Sequence, residues 1–170
     1  MRWHDVCQLS GRITVYTVDP RVGDLADVER LFARIAEAPQ LVIARAASRN
    51  KTTLNGKRQA LALPFAQGST FWSHVAFGIN SAAPTLGDAA LYDEKIRVPI
   101  ASVTPTDDGV NAMLTVRAVL SQTQGNGFTY TEAAIVNAAV GGLLYNRVVY
   151  PPVEKTDQYY LFAQFDLTQK

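Results

Sequence analysis

Two runs of strict two-residue alternation constrain this chain more than anything else in it. In the first, Ala112, Leu114, Val116, Ala118 and Leu120 alternate with Thr115 and Arg117; in the second, Tyr159, Leu161, Ala163, Phe165 and Leu167 alternate with Gln164 and Asp166. A period of two sends successive side chains to opposite faces of an extended chain, so each run reads as a strand with one apolar face. A third run, Phe71 to Ile79, places Phe71, Val75, Phe77 and Ile79 on one side and Trp72, His74 and Ala76 on the other, with Gly78 marking its stop. Turn-forming residues recur at Thr106-Asp107-Asp108-Gly109, Gln124-Gly125-Asn126-Gly127, Gly141-Gly142 and Pro151-Pro152. Short strands at that spacing predict an antiparallel sandwich.

The first third of the chain carries mixed signals. Arg12 to Val18 alternates Ile13 and Val15 with Thr14 and Tyr16 and stops at Asp19-Pro20, which predicts a short strand. From Asp24 the period becomes helical: Leu25, Val28, Leu31, Phe32 and Ile35 share a face, Asp24 can cap the N-terminus with Asp27 in the first turn, and Pro39 ends the run. That predicts one amphipathic helix of about three to four turns. Its charged residues, Glu29, Arg30, Arg34 and Glu37, lie mostly off the apolar face, as in a helix that covers part of a core. Leu41 to Leu63 reads as a β-hairpin, since Asn55-Gly56 suits the positive φ values of a tight turn. The expected fold is therefore mainly β: a jelly-roll-like antiparallel β-sandwich over 69–170, with 1–68 as an N-terminal extension of strand, helix and hairpin.

Composition bounds the function. At 170 residues and 48% hydrophobic, the chain can bury one core, or one core plus an arm, but is short for two full domains. With 16 basic against 15 acidic residues it lacks the charge excess that marks nucleic acid or a membrane surface as the main partner. The single Cys7 excludes an internal disulfide framework. No stretch approaches the roughly 20 apolar residues of a membrane helix, and Met1-Arg2-Trp3-His4-Asp5 does not open a signal peptide, so a soluble protein assembled in a cytoplasm is expected.

Routes to catalysis are thin. A Ser or Cys nucleophile usually needs a His base, and the chain offers only His4 near its start and His74 on a strand face. Two distant His and one Cys draw no zinc site. Asp93-Glu94, Asp107-Asp108 and Glu132 invite comparison with paired glycosidase carboxyls, but Asp107-Asp108-Gly109 has the composition of a turn and neighbouring carboxylates point to different faces or to solvent. Gly125-Asn126-Gly127 lacks the Lys-Ser/Thr ending of a phosphate loop, and Asp107-Asp108-Gly109 does not continue into a calcium loop. Asn50-Lys51-Thr52 matches a glycosylation sequon that has no meaning without a secretory signal. A non-enzymatic protein without cofactor or metal is expected.

What remains is surface. The second faces of the strands carry Trp72, Met113, Val119, Tyr160 and Phe162, more apolar area than an isolated sandwich leaves outside. Either the N-terminal helix and hairpin cover it, or identical subunits do. Around the hairpin sit Arg45, Arg49, Lys51, Lys57 and Arg58, a cluster that suits an acidic partner or simply guards a strand edge. Trp72, His74, Tyr160, Phe162, Arg49, Lys51, Lys57 and Arg58 are the candidate interface residues.

The order of signals from Phe71 to Leu167 resembles the domain that opens many tail fibres and tail-collar fibres of tailed bacteriophages, and related small virion proteins. The resemblance is carried by Val75-Ala76-Phe77-Gly78, Ala83-Pro84, Leu91-Tyr92-Asp93-Glu94 with Arg97, Glu132 with Ile135-Val136, Gly142-Leu143 and Pro151-Pro152-Val153-Glu154-Lys155, about three-fifths of the chain. It implies a virion structural protein with other phage structural proteins as partners, a homo-oligomer such as a trimer or hexamer, and Glu94, Arg97, Glu132 and Lys155 as structural ion-pairing residues. A fibre would continue past Lys170 into a shaft, so the resemblance implies a connector, baseplate or neck component. The alternatives are a capsid cement protein gripping shell subunits through its basic hairpin or N-terminal arm, and a carbohydrate-binding sandwich using Trp72, Tyr92, Tyr145 or Tyr150 as stacking platforms.

Overall fold

The computed structural model describes residues 9–49, 51–53, 56, 71–107 and 110–169. Its strands are β1 (Leu9–Val18), β2 (Val42–Arg49), β3 (Lys51–Thr52), β4 (His74–Gly78), β5 (Glu94–Pro99), β6 (Ser102–Asp107), β7 (Ala112–Leu120), β8 (Phe128–Val136), β9 (Asn146–Lys155) and β10 (Tyr160–Gln169), with helix α1 at Val28–Glu37. They form two five-stranded antiparallel sheets, β2-β1-β10-β7-β6 and β3-β9-β8-β4-β5. Between the sheets lies the main core, where Ile13, Val15, Val116, Leu120, Leu161 and Phe165 of the first sheet meet Val75, Phe77, Tyr130, Ile135, Val148 and Val153 of the second. The alternation in β7 and β10 supplies one wall of this core, as their period of two requires.

The N-terminal segment belongs to the sandwich itself. β1 runs between β2 and β10 and pairs with β10 along its whole length, from Leu9↔Gln169 to Val18↔Tyr160. A strand paired on both edges and burying Ile13 and Val15 is an interior element, so the division expected at 68/69 does not separate an extension from a sandwich. Of the expected hairpin only the segment before the turn and Gly56 are described; its second arm, 57–63, lies outside the described residues. β2 pairs with β1 in the first sheet while β3 pairs with β9 in the second, so the chain changes sheet between Arg49 and Lys51. Thr53, fully buried, fixes the crossing by donating its hydroxyl to the Leu144 carbonyl at 2.7 Å and its N–H to the Tyr145 carbonyl at 3.0 Å. Asn55 of the expected turn lies outside the described residues.

Pro151-Pro152 lies inside β9 and makes no turn. The β8–β9 register shifts between Tyr130 and Glu132, and the prolines occupy that irregularity, where a missing N–H breaks no regular ladder. The helix starts three residues later than expected. The Asp27 carboxylate accepts from the Arg30 N–H at 3.0 Å and caps α1, while Asp24 accepts from Ala26 in the preceding turn.

α1 covers the outer face of the first sheet. Leu31, Phe32 and Ile35 pack on Val18, Val22 and Phe162, and the Phe32 and Phe162 rings meet edge to face at 5.1 Å. Arg117 pins the helix from the sheet: its guanidinium lies 4.6 Å from the Phe32 ring and pairs with Glu29. The surplus apolar surface at Phe162 and Val119 is thus covered from within the chain. On the second sheet the loop 79–93 plays the same part, with Leu91 packed on Ala76, Ala134, Val136 and Leu144.

Candidate functional site

Beneath the loop 79–93 a charged network is fully buried. Glu132, from the loop-facing side of β8, has its carboxylate held at Oε1 by the Asp93 N–H at 2.9 Å and at Oε2 by Arg147 Nε at 2.7 Å, with the Asn80 and Tyr92 N–H groups at 3.4 Å. Arg147, from β9, reaches on to Asp88 at 3.2 Å and lies over the Tyr92 ring at 4.0 Å. Asp88 also accepts from the Thr85 N–H and hydroxyl and from the Tyr92 hydroxyl at 2.8 Å. A buried charge is tolerable only when paired and hydrogen-bonded, and here each carboxylate is. The network ties β8, β9 and the loop into one unit.

Gly78 belongs to the same unit. A Cβ built on it would lie 2.5 Å from both the Asp93 carbonyl oxygen and Glu132 Oε1, closer than real Cβ atoms come. The glycine that ends β4 is therefore required by the carboxylate packed over it.

Asp88 carries a pH signature. Burial alone would raise its pKa, but hydrogen bonds from Thr85, Tyr92 and Arg147 outweigh it and hold the carboxyl below its ordinary value. A carboxyl depressed in the folded state adds stability above its unfolded pKa and loses it as pH falls through the folded value. Denaturant midpoints should therefore drop below about pH 4, and Asp88→Asn should show a shallower drop than the wild type. Equal slopes would remove Asp88 from the acid response.

The other motif residues act separately. Glu94 and Arg97 form an ion pair along β5 at 2.7 Å, and Arg97 Nη1 also donates to the Ala138 and Gly141 carbonyls at 2.7 Å, tying β5 to the glycine turn after β8. Lys155, expected as an ion-pairing residue, has no carboxylate within ion-pair distance among the described residues. Its buried Nζ donates to Asn126 Oδ1 and the Thr156 carbonyl at 2.6 Å, and burial lowers its pKa. It fastens the loop before β8 to the end of β9. The true partner of Glu132 is Arg147, whose sequence trace was a charged residue inside the apolar run Leu143 to Tyr150.

The candidate interface residues do not converge on one patch. Phe162 is fully buried under α1 and so is closed to a partner; Tyr160 is half-buried at the rim of the same cluster. Trp72 precedes β4, so the alternation does not reach it, and it packs on the main core with its ring 5.1 Å from Tyr145. His74 is half-buried, its Nδ1 2.8 Å from the Ser73 hydroxyl. Arg49 is exposed opposite Arg12, and Lys51 donates to the Pro84 carbonyl at 3.3 Å. Lys57 and Arg58 lie outside the described residues. Near Trp72 an apolar groove of about 300 Å³ is lined by Phe71, Ile100, Val103 and Leu114, with Phe71 74% exposed.

The chemistry these side chains allow is limited. Among the described residues no carboxylate hydrogen-bonds the His74 ring, and the Ser73–His74 contact joins chain neighbours. Among the described residues no group of three or more His, Cys, Asp or Glu is placed to hold a metal ion, and no helix is long and apolar enough to cross a membrane. Of the rings that could stack on a sugar, Tyr145 and Tyr150 are buried, with burial raising the pKa of both, and Tyr92 has one face under Arg147. Compared with known proteins, the chain matches no family model, no curated protein and no solved structure. The reading of its function rests on its own residues.

Proposed function

We propose that this chain is a structural protein of a tailed-phage virion, a component of the tail fibre, baseplate or neck that attaches by shape-complementary, multivalent contacts and performs no catalysis. The observation that carries the reading is the mutual fit of Gly78 and Glu132. These two positions are separate steps of the pattern by which the chain resembles tail-fibre attachment domains, and in space the Glu132 carboxylate occupies the room a Cβ at position 78 would need. Leu91, Arg97 and Lys155, further steps of that pattern, hold loops onto the same sheet, and Glu94 pairs with Arg97. A pattern whose members support one another physically is a stronger basis for resemblance than the same residues scattered.

The reading implies self-association as a trimer or hexamer, or binding to a phage capsid or tail protein. Sedimentation of the purified chain should show a concentration-dependent oligomer, or a stable complex with such a protein. A monomer that binds neither at high concentration overturns the proposal. Particles assembled without the chain distinguish its place: intact heads that fail in tail assembly or adsorption fit the tail role, whereas heads weakened to osmotic or thermal stress fit a cement protein.

A further inference from the structure

A groove of about 800 Å³ runs between α1 and β2. On the helix side it is lined by Ala33 and Ala36, with Pro39 following; on the strand side by Ile43, which is 50% exposed, and Arg45; Tyr16 is shared between them. β2 is the outermost strand of its sheet, so this wall of the groove is a sheet edge.

Arg45 lines the groove, and Arg49 and Arg12 lie past its end on the same face of the sheet. Arg45 pairs with Tyr16 in the strand register and its guanidinium lies 5.6 Å from that ring; Arg49 stands directly opposite Arg12 on the same face. Like charges directly opposite each other destabilise a strand pair. Among the described residues no carboxylate is within ion-pair distance of Arg12, Arg45 or Arg49. Glu29, the carboxylate that lines the groove, is taken by Arg117, and Asp166, across from Arg12, accepts from Thr115 at 3.1 Å and Gln164 at 2.9 Å. A cationic rim beside an aliphatic wall is complementary to a ligand that is both acidic and aliphatic.

We propose that this groove takes an extended acidic segment of a partner protein, laying its aliphatic side chains against Ala33, Ala36 and Ile43 and its carboxylates against Arg45, Arg49 and Arg12. Arg45 and Arg49 are four residues apart on one face of β2, roughly 13 Å along the strand. An extended segment rises by the same amount per residue, so carboxylates four positions apart on one face of it meet both arginines. Nucleic acid fits less well, because Ala33, Ala36 and Ile43 offer phosphates nothing, and the whole chain has a net charge of only +1.

The inference rests on the attachment reading, and one set of measurements separates them. A fluorescent peptide of alternating Glu and Leu is titrated into the full chain by anisotropy, with an alternating Lys-Leu peptide and duplex DNA as controls. Saturable binding that weakens with salt is expected, reduced about tenfold by Arg45→Glu. Ala36→Trp, which fills the helix wall without changing charge, should reduce it too. Arg30→Glu, which alters net charge equally but lines a different cleft, should leave it unchanged. Equal binding of the Lys-Leu peptide, Arg45-dependent binding of DNA in its place, or indifference to both groove variants overturns the proposal. If the Glu-Leu peptide fails while the chain still self-associates, the groove is refuted and attachment stands; a strict monomer that binds it keeps the groove and refutes self-association.

Discussion

Glu132→Ala is expected to cost about 3–5 kcal/mol of folding stability. The wild-type carboxylate accepts from Arg147 and from backbone N–H groups of the loop 79–93, with no exposure to solvent. Its removal leaves the Arg147 guanidinium buried with only Asp88 at 3.2 Å, and orphans the Asp93 N–H. Most of the cost comes from the Arg147 Nε and the loop N–H groups left buried without an acceptor, so the loss should exceed that of an ordinary truncation in a strand of this kind. It would lower Tm by roughly 10 °C in a domain of this size. Replacing all three charges, as Glu132→Leu with Arg147→Met and Asp88→Asn, should recover most of the loss, since the desolvation cost of the network disappears with it. Urea denaturation of the three proteins decides the matter. A single variant within about 1 kcal/mol of wild type would show that water reaches the network and that it does not hold the loop.

The strands that define the sandwich were legible because their burial is one-sided. Leu161, Ala163, Phe165 and Leu167 face the core while Gln164 and Asp166 face out, and the rhythm breaks at Phe162, buried on the other face under α1. Where both faces are covered the rhythm fades: Ala133, Ala134, Ile135 and Val136 of β8 are all buried, two toward the main core and two toward Leu91. Pairing was harder to read than pattern. β1 reads as part of an arm because its partner, β10, follows every other strand in the sequence. Periodicity names a strand's buried face but not the strand beside it. For the same reason the sequence marks Glu132 as an ionic residue but does not mark Arg147 as its partner. Their meeting depends on the β8–β9 irregularity between Tyr130 and Glu132, whose one local trace, Pro151-Pro152, reads equally well as a turn. The groove beside α1 was visible only as a surplus of arginine, since its apolar wall needs α1 and β2 side by side.

Phe162→Ala should cost about 3–5 kcal/mol and loosen α1 selectively. Phe162 is fully buried, meets Phe32 and Tyr160 edge to face, and fills the space between the helix and the first sheet. It contributes nothing to the core between the sheets, which is built from Leu161, Ala163 and Phe165 on the other face of the same strand. Truncation therefore leaves a cavity under the helix with the sandwich still packed. Amide exchange should rise in α1 well before it rises in β7 or β8, because a ten-residue helix has little stability apart from its docking surface. Arg117, stacked on Phe32 and paired with Glu29, would hold the helix only weakly, since Glu29 is half exposed. If exchange rose uniformly across helix and sheets, α1 would be folding as one unit with the sandwich. The groove between α1 and β2 gives a second readout, since a loosened helix should bind the Glu-Leu peptide less well even though Phe162 lies outside the groove.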